Sequence, residues 1–397
     1  MNRRDLIKNK EILSIINENK DKNVASLALK WAANKNDSTQ FILTQIRGRS
    51  IAERKIPSWL QYEAIIYPDK IAMEQCSSEL TARFKSELLK GLQVADLTGG
   101  LGVDCYFISL KAKSVLYVEP DLTRFEITEH NFSVLGVQNT SFYHTTAEKF
   151  LDYQGLASLD YVYIDPSRRN ENQNKVFMLK DMQPDLRLII DYLKKINAHL
   201  LIKLSPMLDI KSALKELECV KDIYIISVGD ECKELLFTID FKFDGKKSIK
   251  CVNITNEKVW GFDYLLEEEE SKSFEVTEVF KYIYDPFSSL NKGGGFKSLA
   301  NKFSLNKISS NTHLFTSENM RDDFFGNCFE VERVDDFSSK EFTTIENKKG
   351  VIKIRNFRMS QSEIEKKTKI TYGPDYFYFF YSDAANRMKV ATTRKVY

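Results

Sequence analysis

Residues 94–104 read Val-Ala-Asp-Leu-Thr-Gly-Gly-Leu-Gly-Val-Asp. A short apolar run that ends in an acid and passes through glycines into a helix start is the pattern of a buried parallel strand, a tight loop and a crossover helix. Glycines at 99, 100 and 102 carry no Cβ to keep backbone N–H groups away from a ligand, and the helix start adds unpaired donors. From Leu92 to about Phe243, short apolar strands alternate with amphipathic helices. The strands are expected at 94–97, 115–119, 141–144, 161–165 and 200–204, which predicts a doubly wound parallel sheet. Asp121 and Asp209 are placed to cap two of the helices, and Pro184 falls in the first turn of a third. Two further extended runs, 223–228 and 235–241, are separated only by Gly229 to Glu234. That is hairpin spacing, so a seventh strand is expected to return antiparallel.

The chemistry-bearing residues lie at the carboxyl ends of these strands, where open α/β sheets bind ligands. A dinucleotide fingerprint would need a third glycine at position 105, which is Cys105 here. Asp96 directly precedes the loop, and the second strand ends in Glu119, 17 residues after Gly102. That is about the distance at which such folds place the acid that grips ribose hydroxyls. Strand four runs into Asp165-Pro-Ser-Arg-Arg169, an acid beside two guanidinium groups. Arg168 and Arg169 suit a phosphate, a carboxylate or a base plane, or an ion pair that closes the loop. Strand five ends in Lys203-Leu-Ser-Pro-Met-Leu-Asp209, whose lysine faces the same pocket. Neither strand end carries the cysteine nucleophile that methylation at pyrimidine carbon 5 requires, and Cys232 reads as a free buried thiol.

With 397 residues, 43% of them hydrophobic and 29% charged, the chain is long enough for two or three domains. No apolar run approaches the ~18 residues of a membrane span, and six cysteines form no CxxC pair, so a cytoplasmic protein with reduced thiols and no metal site is expected. Residues 1–91 read as helical. Asn23 to Lys35 is one helix, Ser38 caps another through about Ala52, Pro57 interrupts, and a third runs from Gln75 or Ser77 to Lys90 before Gly91. This brings Gln75, Ser77 and Thr81 near the glycine loop, as ligand contacts or simply as capping and packing residues. Beyond 245, loops are expected at Glu267–Glu270 and Gly293–Gly295, with strands at 312–316, 328–334 and 350–354. Lys292 to Ser298 lacks P-loop spacing and reads as a turn. Net charge is only +2, but from Lys348 onward twelve Lys or Arg face four acids, giving +8. Such an asymmetry suits a polyanion. The run Tyr376-Phe-Tyr-Phe-Phe-Tyr381 is either a base-stacking surface or, preferentially, a buried aromatic strand.

An acid just before the glycine loop is similar to the S-adenosyl-L-methionine (SAM) loop of Rossmann-like methyltransferases, whose hallmark is the antiparallel seventh strand. Asp165-Pro-Ser-Arg resembles their Asp/Asn-Pro-Pro-aromatic motif for amino acceptors, with Ser167 in place of the second proline and Arg168 in place of the aromatic. In His144-Thr-Thr-Ala-Glu148, Thr146 aligns with the acid that touches adenine. Together with Met73–Ala82, Ile202–Ile210, Glu231–Leu236, Tyr284-Asp-Pro286 and Arg355-Asn-Phe357, these segments resemble a bacterial family of class I SAM-dependent methyltransferases with a C-terminal THUMP-like domain. That family usually reads Asp-Pro-Ala-Arg-Arg after strand four. The opening helix and loop also resemble trimethylguanosine-synthase-type enzymes.

The resemblance implies a Rossmann-like seven-stranded sheet, with a helical region at 1–91, a methyltransferase domain at 92–245, a ferredoxin-like segment at 246–334 and a THUMP-like domain at 335–397. It implies SAM held by Asp96, Thr98, Gly99, Gly100, Gly102, Glu119, Thr146 and Ala147, and an acceptor site of Asp165, Pro166, Ser167 and Arg168. The expected partner is RNA, tRNA or rRNA, modified on an exocyclic amine; nothing points to a membrane or to an obligate protein partner. Two alternatives stay open. One is a small-molecule methyltransferase whose basic tail is solvated surface, and the other is an RNA-binding protein whose methyltransferase domain is inactive.

Overall fold

The computed structural model describes residues 2–32, 36–152, 159–168, 179–337 and 349–397. The chain divides into two compact units, one of Met1–Lys221 with Leu235–Asp244 and one of Asp222–Glu234 with Gly245–Tyr397.

In the first unit, the helices α1 (Arg3–Lys8), α2 (Lys10–Asn19), α3 (Val24–Lys30), α4 (Asp37–Lys55), α5 (Lys70–Gln75) and α6 (Glu79–Leu88) precede the sheet. Each starts on a short polar side chain that accepts from an otherwise unpaired N–H: Asn2, Asn9, Asn23, Asn36, Asp69 and Ser78. The α4 cap is thus Asn36, which accepts from Thr39 N at 2.8 Å, rather than the expected Ser38. The expected helix from 75 or 77 to 90 is α6, shorter at both ends, because Gln75 closes α5, Cys76 is extended and Ser78 caps α6. The end of the expected 23–35 helix falls on residues outside those described.

The apolar faces of these helices close over Leu6, Ile7, Ile12, Ile16, Ile42 and Ile46, and the same cluster includes Ile127 from a sheet helix. Burying a branched aliphatic side chain contributes about 1.5–3 kcal/mol, so residues 1–91 stand on the sheet rather than apart from it. Asn131 on that same helix completes the join: its amide oxygen accepts from Ile66 N and its amide nitrogen donates to Ile66 O, both at 2.9 Å.

The sheet of this unit is built from β1 (Gln93–Asp96), β2 (Ser114–Val118), β3 (Thr140–Tyr143), β4 (Tyr161–Ile164) and β7 (His199–Leu204), parallel in the order β3-β2-β1-β4-β7. A two-residue ladder, β5 (Ser167–Arg168) with β6 (Met182–Gln183), follows β4. Helices α7 (Val103–Ser109), α8 (Leu122–Val134), α9 (Ala147–Asp152), α10 (Leu186–Ile196) and α11 (Ile210–Glu216) cross between the strands. Asp121, Asp185 and Asp209 cap α8, α10 and α11, so Pro184 stands just before its helix rather than inside it.

After α11 come β8 (Val220–Val228) and β9 (Glu231–Ile239). β9 returns antiparallel to β7, as the hairpin spacing predicts. The expected strands all form, and the count exceeds seven because β8, almost wholly in the second unit, pairs in parallel with β10 (Ser248–Ile254), which pairs in turn with β11 (Val259–Leu265), two strands beyond the expected set. The tight turn that makes this hairpin, where Thr255 N donates to Lys258 O at 2.9 Å, contains no glycine or proline and so carries no punctuation in sequence.

The second unit continues through α12 (Leu266–Glu269), a helical turn where a loop was expected, and β12 (Tyr282–Pro286). Next come α13 (Ser288–Gly293), α14 (Phe296–Phe303), β13 (Asn306–Lys307), β14 (Phe315–Ser317), β15 (Gly326–Asp336), β16 (Val351–Arg355), α15 (Gln361–Thr368), β17 (Phe377–Ser382) and β18 (Met388–Lys395). One sheet in the order β13-β14-β12-β15-β18-β17-β16 runs through both expected C-terminal segments, and residue 334 lies inside β15. The aromatic run is the buried strand β17: Phe379 and Tyr381 pack with Ile283 and Phe329, and Tyr378 and Phe380 pack on the other face with Ile364 and Val390. Among the described residues no helix is long and apolar enough to cross a membrane.

Truncating Asn131 to Ala strands both polar groups of Ile66 in a dry contact, and is expected to cost about 2 kcal/mol. Calorimetric melting should show the midpoint several degrees lower; an unchanged midpoint means the helical region stands without that join.

Candidate active site at the carboxyl edge of the first sheet

The glycine loop is shaped by the protein's own packing. A Cβ on Gly99 would sit 2.1 Å from the ring of Tyr117, and one on Gly102, where φ is +69°, would sit 2.5 Å from Thr128. The loop N–H groups are also engaged: Gly99 donates to Val118 O at 2.9 Å, Gly100 to Glu119 Oε2 at 2.7 Å and Gly102 to Gly99 O at 2.8 Å. Tyr117 and Thr128 hydroxyls donate to Gly100 O at 2.7 and 3.1 Å. The loop is therefore a rigid shelf, and the donor cradle that its sequence suggests is turned inward onto the neighbouring strand.

Two buried carboxylates flank this shelf. Glu119 accepts from Gly100 N and from Asp121 N (2.8 Å), one bond on each oxygen, and each oxygen keeps a lone pair for a further donor. Asp96 is 1% exposed and accepts from Thr98 N at 3.0 Å. Burial pushes its carboxyl up to about 8; the Thr98 N–H opposes this, and the negative charges of Asp104, Asp165 and Glu119 add to it. Thr146 caps α9, accepting from Lys149 N at 3.3 Å, and Ala147 is buried in that helix's first turn. Phe125 on α8 lies against His144 at the end of β3, ring centres 5.3 Å apart.

At the end of β4, Asp165 N donates to the hydroxyl of Thr98 at 2.7 Å, which ties this carboxylate to the glycine shelf. Its Oδ2 meets the ammonium of Lys203, from the end of the adjacent β7, at 2.6 Å, while the side chain stays 41% exposed. Pro166 is half-buried and Ser167 exposed, the latter held by its pairing with Gln183. Arg169 and the side chain of Arg168 lie outside the described residues.

Behind this edge lies a buried charge network that the sequence reading assigns no role. The Lys85 ammonium, fully buried on α6, contacts Asp104 Oδ1 at 2.9 Å, and the hydroxyls of Ser77 and Tyr163 each donate to Asp104 Oδ2 at 2.7 Å. Ser77 Oγ also accepts from Lys85 and from Lys203, both at 3.2 Å. Burial alone would raise the Asp104 carboxyl, but the charges of Lys85 and Lys203 and the two hydroxyl donors outweigh it and hold it below its ordinary value. One signal in the sequence marks this pair: Lys85 occupies the helix face of Thr81, Ala82 and Ser86, all buried, where an unpaired cation is not tolerated. Of the three residues expected near the loop, Ser77 joins the network, Thr81 serves the α6 cap and Gln75 is exposed. Cys76, next to Ser77, donates to Met73 O, and burial raises its thiol.

Replacing Lys85 with Met removes the cation in direct contact with the buried Asp104, which is expected to cost about 3–5 kcal/mol. Because the Asp104 carboxyl is lowered in the fold, its contribution is present above the unfolded value and vanishes as pH falls through the folded one. Chemical denaturation at pH 7 and at pH 3 should therefore show the variant far less stable at pH 7, with the gap narrowing in acid.

Residues 282–324 match the model of a ferredoxin-like domain family. Over 98% of this chain and 99% of the other, the structure is similar to that of a candidate methyltransferase from Porphyromonas gingivalis W83, with a TM-score of 0.85 and 28% identity. A stretch of 91 residues, 23% of this chain, is 32% identical to an uncharacterized RNA methyltransferase of Mycoplasma mobile, and it matches 25% of that protein's length. The architecture is thus that of a methyltransferase carrying a ferredoxin-like domain, and methyltransferase is the activity class that these relatives support.

Proposed function

We propose that this chain, built over its full length like the Porphyromonas methyltransferase candidate, transfers a methyl group from SAM to an exocyclic amine of an RNA base. The observation that carries this reading is the state of Asp165. Its backbone is tied to Thr98, one carboxylate oxygen is taken by Lys203, and the exposed side chain keeps the other oxygen for an incoming N–H donor at the sheet edge where ligands bind.

The buried acids fit the cofactor. Asp96 accepts from Thr98 N and sits among other carboxylates, so a cationic ligand end relieves its environment. Glu119 is fixed by two N–H groups and retains lone pairs for ribose hydroxyls, and we assign Thr146 and Ala147, at the start of α9, to the adenine edge. Thr98, Gly99, Gly100 and Gly102 form the shelf between these two ends. Bound there, SAM supplies a methyl group made electrophilic by a sulfonium sulfur. The protein's task is then chiefly alignment, which supplies several kcal/mol through orientation alone. Asp165 accepts from the amine and turns its lone pair inward; Pro166 and Ser167 shape the approach, and Arg168 supplies a cation for the phosphate or base.

RNA as the acceptor draws on the Mycoplasma relative's description and on the basic C-terminal fifty residues. Five cations of that tail are paired with acids: Lys353 and Arg355 with Asp285, Arg387 with Asp383, Lys389 with Asp336 and Arg394 with Glu332. Arg358, Lys366, Lys367 and Lys369 are exposed and suit phosphate contacts. The internal pairing is what favours the second reading, a small-molecule acceptor.

Calorimetric titration with SAM, its demethylated product and NAD should show micromolar binding of the first two and none of NAD. Glu119→Ala should weaken that binding at least tenfold and leave RNA binding intact, whereas Asp165→Ala should bind SAM and lose transfer. Absence of SAM binding refutes the reading, and RNA binding insensitive to salt moves the acceptor to a small molecule.

Asp96 also makes binding pH-dependent. A carboxyl raised to about 8 must lose its proton to face a cation, so SAM affinity should rise between pH 6 and pH 9 with proton uptake by the buffer. For stability the sign is opposite: the folded chain holds a proton the unfolded chain releases above about pH 4, so this group's contribution falls as pH rises from 4 to 8. Asp96→Asn should then gain about 1–2 kcal/mol near pH 8 and lose SAM binding; a variant no more stable than the parent at that pH contradicts this.

A further inference from the structure

We propose that Lys203 is a positioning residue of the transfer site: it anchors one oxygen of Asp165 to the buried Ser77–Asp104–Lys85 network so that the other oxygen meets the acceptor amine. The proposal rests on the reading of Asp165 as the carboxylate that accepts from that amine.

The geometry is an unbroken chain from the protein interior to an exposed side chain. Lys203 and Asp165 stand one residue beyond the paired Ile202 and Ile164 on adjacent parallel strands, so their side chains leave the sheet edge side by side. The lysine side chain is 13% exposed against 41% for the aspartate, and their contact is 2.6 Å. A partly exposed ion pair of this kind contributes little to stability, so its value lies in direction. An exposed aspartate otherwise samples several rotamers.

Ser77 sets that direction. Its single hydroxyl proton goes to Asp104 Oδ2, which leaves both lone pairs of Oγ toward the ammonium groups of Lys85 and Lys203. Asp104 is itself held by Tyr163 and Lys85, so the inner anchor of Lys203 is buried and engaged. Asp165 N on the Thr98 hydroxyl gives the carboxylate a second fixed point, on the glycine shelf. Two anchors from different elements therefore define where Oδ1 points.

In the transfer step, the acceptor nitrogen forms its bond to the methyl carbon as that carbon's bond to sulfur breaks, and the electron pair leaves with sulfur. The nitrogen's surplus proton passes to Asp165 Oδ1 and from there to water. Lys203 makes no contact with the reacting atoms; it acts through Asp165.

The test compares Lys203→Met, Lys203→Arg and Asp165→Ala in the full chain. Three measurements are made: affinity for the demethylated product of SAM, amide hydrogen exchange of the peptide that contains Asp165, and tritium transfer from methyl-labelled SAM into total bacterial RNA. Lys203→Met is expected to bind the product within twofold of the parent, to exchange the Asp165 amide about tenfold faster, and to lose about 10- to 100-fold in kcat with little change in KM. Lys203→Arg should recover most of the kcat and of the protection.

Normal transfer by Asp165→Ala refutes the reading of Asp165 and this proposal with it. An inactive Asp165→Ala beside a fully active Lys203→Met overturns the role of Lys203 alone. Loss of product binding in Lys203→Met, with no recovery by Arg, also overturns it and makes the lysine a general support of the fold.

Discussion

The ion pair between Lys85 and Asp104 is the contact on which the site depends. Two charges taken out of water are tolerated only when each is fully partnered, and here that demand recruits residues from four places in the chain. Lys85 comes from α6, Asp104 from α7, Ser77 from the segment before α6 and Tyr163 from β4. Satisfying one buried carboxylate therefore fixes the helical region, the helix after the glycine loop and the strand that ends in Asp165. Lys203 extends the same network to the exposed carboxylate of Asp165.

The glycine loop illustrates a second constraint. Its glycines are usually explained by the ligand, but here each has an internal cause: Gly99 makes room for the Tyr117 ring, and Gly102 holds a left-handed turn against Thr128. The N–H of Gly100 fixes Glu119, so the loop positions an acid as well as a backbone. The consequence is a preorganised site whose acids are already oriented, which lowers the ordering cost of binding. Asp96 carries the corresponding strain, a buried acid among acids, and a cationic ligand is what its surroundings lack.

In the second unit, charge and aromatic content serve the fold first. Asp285 is fully buried and takes both Lys353 and Arg355, the latter in a bidentate contact of Nε to Oδ1 at 3.0 Å and Nη2 to Oδ2 at 2.8 Å. This explains why the motifs around Asp285 and Arg355 both stand out in sequence: they are the two halves of one ion pair, 70 residues apart. The aromatic strand β17 alternates its rings between two apolar clusters, so its composition reports burial on both faces and not a stacking surface.

Local physics made much of this legible from sequence alone. Period-two and period-3.6 apolar patterns, capping aspartates and hairpin spacing located the parallel strands to within a residue or two and the antiparallel return of β9, because each signal is complete within a few neighbouring residues. The candidate acids Asp96, Glu119 and Asp165 were legible for the same reason, as ends of strands. The pairing of β8 with β10 was not, since strand partners are chosen by which faces need covering and β-ladders carry no code of their own. The partners of Lys85, Ser77 and Asp104 were equally invisible: a buried charge announces that it needs a counter-charge, but only the tertiary fold decides which residue, from which distant segment, arrives within 3 Å to supply it.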